Sequence, residues 1–375
     1  MGIYIHLPYC VHHCVYCDFN VRQLRRKDDL ERYLEALLKE IAYYGKQYAD
    51  QRSVDTIYLG GGTPSLFSAE QIQRLLRAVH HAFEVSPAVE ISMEANPNSI
   101  TFSKMKAFKG MGMNRLSIGV QSFQSRHLKT LERIHSPLQA VDGFWAARKA
   151  GFEQINLDLI FGLPNQSLEA FQADVEMAVG LNPEHLSTYH LTVGPRNPLS
   201  PYLPDEGLST EMYLWVARVL PRYGYEHYEV SAFAKPGAQC QHHLKYWGLK
   251  DFLGLGAGAY SRLTDLRRPW GLHLKNVDRL ETYCCRIHQQ GEALEEQEPL
   301  TRKVAQKDFL IAGLRLLKGI AWAEFEARFQ ESLMISYGNE VRSLMAQGLL
   351  DSTAKMLKLT PRGLLYLNKV LVEFM

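Results

Sequence analysis

The chain has 375 residues, 46% hydrophobic and 22% charged, ordinary proportions for a globular protein of one large domain and a smaller one. Its 42 Lys and Arg oppose 40 Asp and Glu, so no basic field marks it for nucleic acid or a membrane surface. No apolar run approaches the roughly 20 residues that span a bilayer, and MGIYIHLPYC lacks the regions of a signal peptide, so a cytoplasmic protein with reduced thiols is expected.

Up to about residue 235 short apolar runs alternate with amphipathic segments of helix length. IYIHL (3–7) reads as a strand and 28–47 as a helix with acids early and Lys late. Strand 54–62 enters the glycine turn GGGTP. Helix 68–83 begins at a Ser cap, and strand 89–97 breaks at Pro97. A helix near 101–110, strand 114–123 and helices near 125–131 and 137–150 follow. Next come strand 154–164, a Ser-started helix at 167–179, strand 185–193, a helix near 209–223 and the segment 225–234. Strands separated by helices imply parallel pairing and right-handed crossovers. The expected fold is therefore α/β, a partial (β/α)6 barrel with its chemistry at the strands' C-terminal ends, and a doubly wound sheet is the alternative. FLGLGAGAYSR (252–262) reads as a glycine-rich turn near the barrel mouth. From Leu300 on, helix, hairpin (LLDSTAKMLKLT) and helix suggest a small α+β winged-helix-like domain, with DNA binding or protein packing as its two readings. The expected division is 1–235, a linking region 236–299, and 300–375.

Cys10, Cys14 and Cys17 form C-x3-C-x2-C directly after the first strand. Three thiolates on one loop can ligate three irons of a [4Fe–4S] cluster and leave the fourth iron open. A closed zinc site would need a fourth ligand, for which His12 and His13 are the nearby candidates. Cys240, Cys284 and Cys285 are scattered, which argues against a disulfide framework. With Tyr16 before the third cysteine, the motif resembles the radical S-adenosylmethionine (SAM) superfamily, and the resemblance implies SAM chelating the open iron.

Other residues gather around this motif. The glycines of GGGTP let a ligand approach the backbone, and a carboxylate at Glu94 can bind ribose hydroxyls. The resemblance implies SAM contacts from Tyr4, Tyr16, Gly61, Gly62 and Thr63. It also implies that Glu94, Gln121, Arg133 and Asp158 line the SAM and substrate cavity.

Over nearly the whole chain YIHLPYC, CDFN, GGGTPS, MEANP, NRLSIGVQSF, NLDLIFGLP, AKPGAQCQHHLKYW and LTPRGLLYLN resemble the HemW family of haem chaperones. These are relatives of the oxygen-independent coproporphyrinogen III dehydrogenase. The dehydrogenase carries a cysteine where this chain has Phe19, and a long N-terminal lid where this chain has nine residues before Cys10. The resemblance implies a [4Fe–4S] cluster, SAM and haem as ligands, no catalytic residue of its own, a haem-acceptor protein such as a respiratory enzyme as partner, and a homodimer as one assembly. The family's haem histidine matches His242. His243 stands where the family commonly has Asn, so His242, His243 and Cys240 all remain candidate iron ligands. The alternative function is oxidative decarboxylation of coproporphyrinogen III.

Overall fold

The computed structural model describes residues 1–48, 53–264 and 267–375. Its first strand, β1 (Gly2–Leu7), shows the pattern that organises the whole fold. Ile3, Ile5 and Leu7 are fully buried on one face, while Tyr4 and His6 point to the other. The same alternation recurs in β4 (Val54–Gly61), β5 (Val85–Ala95), β6 (Arg115–Gln121), β7 (Gln154–Phe161) and β8 (His185–His190). Between β1 and β4 lie the short β2 (Tyr9–Cys10) and β3 (Arg22–Gln23). Strand residues alternate faces, so each of the long strands has an apolar side and a polar side. The apolar sides pack on α1 (Lys27–Tyr48), α2 (Ala69–Ala82), α3 (Phe102–Gly110), and, past the short α4 (Ser125–Thr130), on α5 (Pro137–Lys149), α6 (Leu168–Gly180) and α7 (Glu206–Val219) in one core cluster. Each fully buried Ile or Leu there contributes roughly 1.5–3 kcal/mol.

Strands β1, β4, β5, β6, β7 and β8 are parallel neighbours in chain order, the arrangement of a barrel. Register stacks their polar residues in rows: Tyr4 beside Tyr58, Glu94 beside Ser117 and Asn156, Asp158 beside Ser187. The helix starts follow the sequence closely. Ser68 and Ser136 each form a capping box, with Gln71 and Gln139, and Ser167 caps α6.

Two expectations change. The segment 225–234 is two antiparallel strands, β9 (Glu226–Glu229) and β10 (Ala232–Ala234), because the Glu229 carboxylate accepts the Ser231 N–H at 3.0 Å and folds the chain between them. Past α8 (Gln241–Trp247), the glycine-rich stretch is also more than a turn. It contains β11 (Phe252–Leu255) and β12 (Tyr260–Leu263), folded back at Gly256 and Gly258, both with positive φ. β11 lies parallel to β1, on the side away from β4. β13 (Leu272–Asn276) and β14 (Leu294–Pro299), on either side of α9 (Leu280–Gln290), complete a twelve-stranded sheet.

The C-terminal lobe has its own core. It is built from α10 (Arg302–Gly313), β15 (Ile320–Ala321), α11 (Trp322–Phe329), α12 (Leu333–Ala346), the hairpin β16 (Leu350–Ser352) and β17 (Met356–Leu359), α13 (Pro361–Leu365) and α14 (Leu367–Val372). Its three strands pair in the order β15–β17–β16, the α+β lobe expected from the sequence. Among the described residues no helix is long and apolar enough to cross a membrane.

Candidate functional site

At the C-terminal ends of the parallel strands lies a cavity of about 580 Å³. The chain leaves β1 through Pro8, and β2 is pinned to β3 by the Cys10–Gln23 register. The loop between them places Cys10, Cys14 and Cys17 on the cavity wall. Burial pushes the Cys10 thiol up to about 11, with Cys17 and Cys14 adding to the rise, so the three sulfurs share one field. Burial also raises Cys17, opposed by a backbone hydrogen bond from Phe19. Among the described residues no three His, Cys, Asp or Glu side chains close on a point as a single metal ion requires. The three thiols line one open cavity. His12 bonds to Glu132 and His13 to the Cys17 carbonyl.

The second strand supplies the opposite wall. Gly61 and Gly62 line the cavity, and both are glycine for a packing reason too. A Cβ on Gly61 (φ +109°) would meet the His6 ring at 2.5 Å, and one on Gly62 would meet the Tyr9 carbonyl at 2.7 Å. Thr63 is buried behind Cys10 and donates to its sulfur at 3.4 Å. Asn96, which sequence reading passed over, donates to Thr63 Oγ1 at 2.8 Å and accepts from Arg133 Nη2 at 2.6 Å. Arg133 Nη1 in turn faces Cys14 Sγ at 3.8 Å, while its Nε is buried with no partner among the described residues. Burial works against the guanidinium charge, but Tyr16, Cys14 and Cys10 outweigh it and raise its pKa. Soft sulfur donors beside a held cation with a spare N–H suit an anionic cluster–ligand assembly.

Deeper in, Glu94 accepts from Tyr58 Oη and Gly61 N–H, each at 3.0 Å. Burial, then Asp158, raises its pKa to about 7. Asp158 is held by Ser117 at 2.9 Å and Asn156 at 2.7 Å, and burial raises it as well. Gln121 reaches the cavity from a bulge in β6 and adopts φ +67°, strain of the kind that collects at binding sites. The cavity thus brings together Cys10, Cys14, Tyr16, Cys17, Gly61, Gly62, Glu94, Gln121, Arg133 and Asp158. Tyr4 lies outside this lining, bonded to His6 and stacked on Tyr58. Ser117, Tyr189 and His190 join the lining without having been foreseen. For Tyr189 and His190 the end of β8 was the only signal.

His242 is not at the cavity. It sits on α8, which floors the barrel beneath Tyr58, and is fully buried. Its Nδ1 shares a hydrogen bond with Thr56 Oγ1 at 2.9 Å and its Nε2 with Tyr246 Oη at 2.7 Å. Ligating iron would require this floor to move. The two histidines lie on a helix, so they differ by about 100° rather than pointing opposite ways as on an extended segment. His243 is half-buried under Tyr58, within the fields of Glu229 and Glu94. Cys240 is buried with its thiol on Glu90.

Six in-order parallel strands with a C-x3-C-x2-C loop after the first mark a radical SAM fold. The model of the Radical SAM superfamily matches residues 4–178, and that of the HemN C-terminal domain matches 300–366. "Heme chaperone HemW" of Escherichia coli (strain K12) is 37% identical, over 100% of this chain and 98% of its own length. The proteins of that name from Haemophilus influenzae and Bacillus subtilis are 34% and 33% identical, each over 98% of its length. The chain belongs to the HemW family. Among solved structures, the radical SAM enzyme coproporphyrinogen III oxidase (HemN) from Escherichia coli aligns at TM-score 0.87 and 26% identity, covering 100% of this chain and 89% of that one.

Proposed function

We propose that this protein is a haem chaperone of the cytoplasm. It carries one [4Fe–4S] cluster and SAM, and passes haem to an acceptor such as a respiratory haem enzyme. The observation that carries the reading is the 37% identity to a heme chaperone over the full length of both chains. Cys10, Cys14 and Cys17 would hold the cluster, and Glu94, Gln121, Arg133 and Asp158 the nucleoside and amino-acid parts of SAM. When bound, the pair supplies a low-potential electron next to a cleavable sulfonium. The chain's own contribution is positional. Arg133 offsets negative charge at Cys14, Thr63 stabilises the Cys10 sulfur, and the Glu94 carboxyl offers hydrogen bonds to a diol.

Anaerobic titration of reconstituted protein with haem tests this reading. Saturable binding, followed by transfer of haem to an apo-haemoprotein, is expected; no binding would end the chaperone reading. Size-exclusion chromatography of the same sample tests the homodimer.

A second reading, oxidative decarboxylation of coproporphyrinogen III, draws on the TM-score of 0.87 to HemN and on the complete set of cavity residues. Product formation with dithionite and SAM, lost in Cys14→Ala, would favour it over the chaperone.

A further inference from the structure

One hydrogen-bonded line runs across the sheet from Asp158, in the cavity wall, to the start of α8. Register sets its first members side by side. Asn156 of β7 lies opposite His185 of β8, and Asp158 opposite Ser187. Asn156 and Asp158 are two residues apart and so share one face of β7. His185 Nδ1 meets Asn156 Oδ1 at 2.6 Å, and His185 Nε2 meets Tyr228 Oη at 2.8 Å. Tyr228 comes from β9, the next strand but one. There Ala232 of β10 pairs with Glu229, but Phe233 pairs with His227. Tyr228 is the extra residue of that bulge, and a bulge re-aims a side chain. Its ring stands edge-on to His185 at 5.6 Å.

Chemistry fixes the direction of each bond. An ionised Asp158 only accepts, so Asn156 presents its amide N–H there at 2.7 Å, and the other N–H goes to Ser117 Oγ at 2.8 Å. The Asn156 carbonyl then faces His185 and only accepts. His185 Nδ1 therefore carries the proton, and Nε2 is left as the acceptor. Tyr228 must donate to Nε2, and its oxygen takes the Cys240 N–H at 3.4 Å. Every donation thus points from α8 toward Asp158. Burial holds His185 well below the usual histidine range, which keeps the single proton this order needs. His185 and Asn156 are buried, so water cannot replace a partner that turns away. Ser117 and Asn156 each occupy one carboxylate oxygen of Asp158, which leaves lone pairs for a ligand in the cavity.

We propose, resting on the reading of this cavity as a SAM site, that His185 and Tyr228 are positioning residues for Asp158. They hold the Asn156 amide in the orientation that donates to the carboxylate, so Asp158 meets the hydroxyl or amino hydrogens of SAM ionised and already aimed. Turned over, the same amide would set its oxygen against the carboxylate and drive it toward protonation. Glu94 of β5, Tyr58 of β4, Tyr189 of β8, Tyr16 of the cysteine loop and His243 of α8 also face Asp158, and none of them is altered by the test.

Two measurements on the anaerobically reconstituted, cluster-loaded protein test this, with wild type, His185→Leu and Tyr228→Phe compared. Calorimetric titration with SAM should show a loss of at least about threefold in affinity in each variant. The infrared band of the protonated Asp158 carboxyl, identified as the one that Asp158→Asn removes, should titrate at higher pH in both. A merely structural role would leave that titration where it is in wild type. Tyr228→Phe keeps the ring and the bulge, so it decides the matter if His185→Leu fails to load its cluster. Wild-type SAM binding with a smaller loss in Tyr228→Phe, or an unmoved Asp158 band, would overturn the positioning role and leave the SAM reading intact. Absence of SAM binding by cluster-loaded wild type would overturn both.

Discussion

Asn96 joins two walls of the cavity through one side chain, its amide to Thr63 and its carbonyl to Arg133. Replacing it with Ala takes one partner each from a guanidinium, still held by the Gly119 carbonyl, and a hydroxyl that face the sulfurs of Cys14 and Cys10. Breaking a hydrogen bond to a charged group costs about 1.5–3 kcal/mol. Asn96→Ala should therefore fold but retain less iron per chain after anaerobic reconstitution and desalting, and unchanged iron content would refute its positioning role. Glu40 makes a different kind of prediction. Its carboxyl is fully buried in α1 and accepts from Tyr283 at 2.5 Å, Asn276 at 2.6 Å and the Gly256 N–H at 2.8 Å. Burial outweighs these bonds and raises its pKa from the ordinary 4.5 to about 7. The folded protein thus binds the proton more tightly than the unfolded chain. This contribution is fully present below about pH 4.5 and is lost as pH rises through about 7, to a limit of about 3 kcal/mol. Urea midpoints should fall across that window, and the Glu40→Gln slope should be flatter whatever its absolute stability.

Among the elements, α8 has a structural task that its histidines conceal. His242 bridges Thr56 of β4 and Tyr246 of its own helix, and Lys245 reaches Asp55 at 2.6 Å. His242→Ala should lower the melting temperature, consistent with about 2–4 kcal/mol for a buried ring and its two partners. A variant as stable as wild type would show that the floor does not depend on this ring. Loss of haem binding in His242→Ala therefore needs its melting curve beside it. The sequence shows the six parallel strands and the helices between them plainly, because β1 and β4 to β8 alternate apolar and polar residues and several helices start at Ser caps. The cysteine loop was legible from spacing alone. Asn96 was not, since its importance comes from partners at positions 63 and 133. Nor could sequence tell His242 from His243, because their difference lies in what β4 presents to the helix. The long-range pairing of β11 with β1 leaves no local pattern to read.

At the scale of the whole molecule, the C-terminal lobe is bonded to the barrel rather than merely tethered. Val230 N–H donates to the Arg315 carbonyl, Leu317 N–H to the Tyr228 carbonyl, and Arg328 to the Leu249 carbonyl. Arg315 also lies over the Trp247 ring at 4.7 Å. A chain ended at residue 299 should expose Leu249 and Trp247 and bind more hydrophobic dye than the intact protein; equal dye binding would show that the barrel stands alone.

The position of β1 has a consequence for how the chain is made. It lies between β4, which follows within sixty residues, and β11, which begins at Phe252. On the ribosome, then, the earliest strand waits with one edge bare through most of translation. The cysteine loop waits with it, because Asn20 finds Ala257 and Asp278 only after both have emerged. The nascent chain thus carries its three thiols in a loop that lacks these two anchors until Ala257 and Asp278 are made.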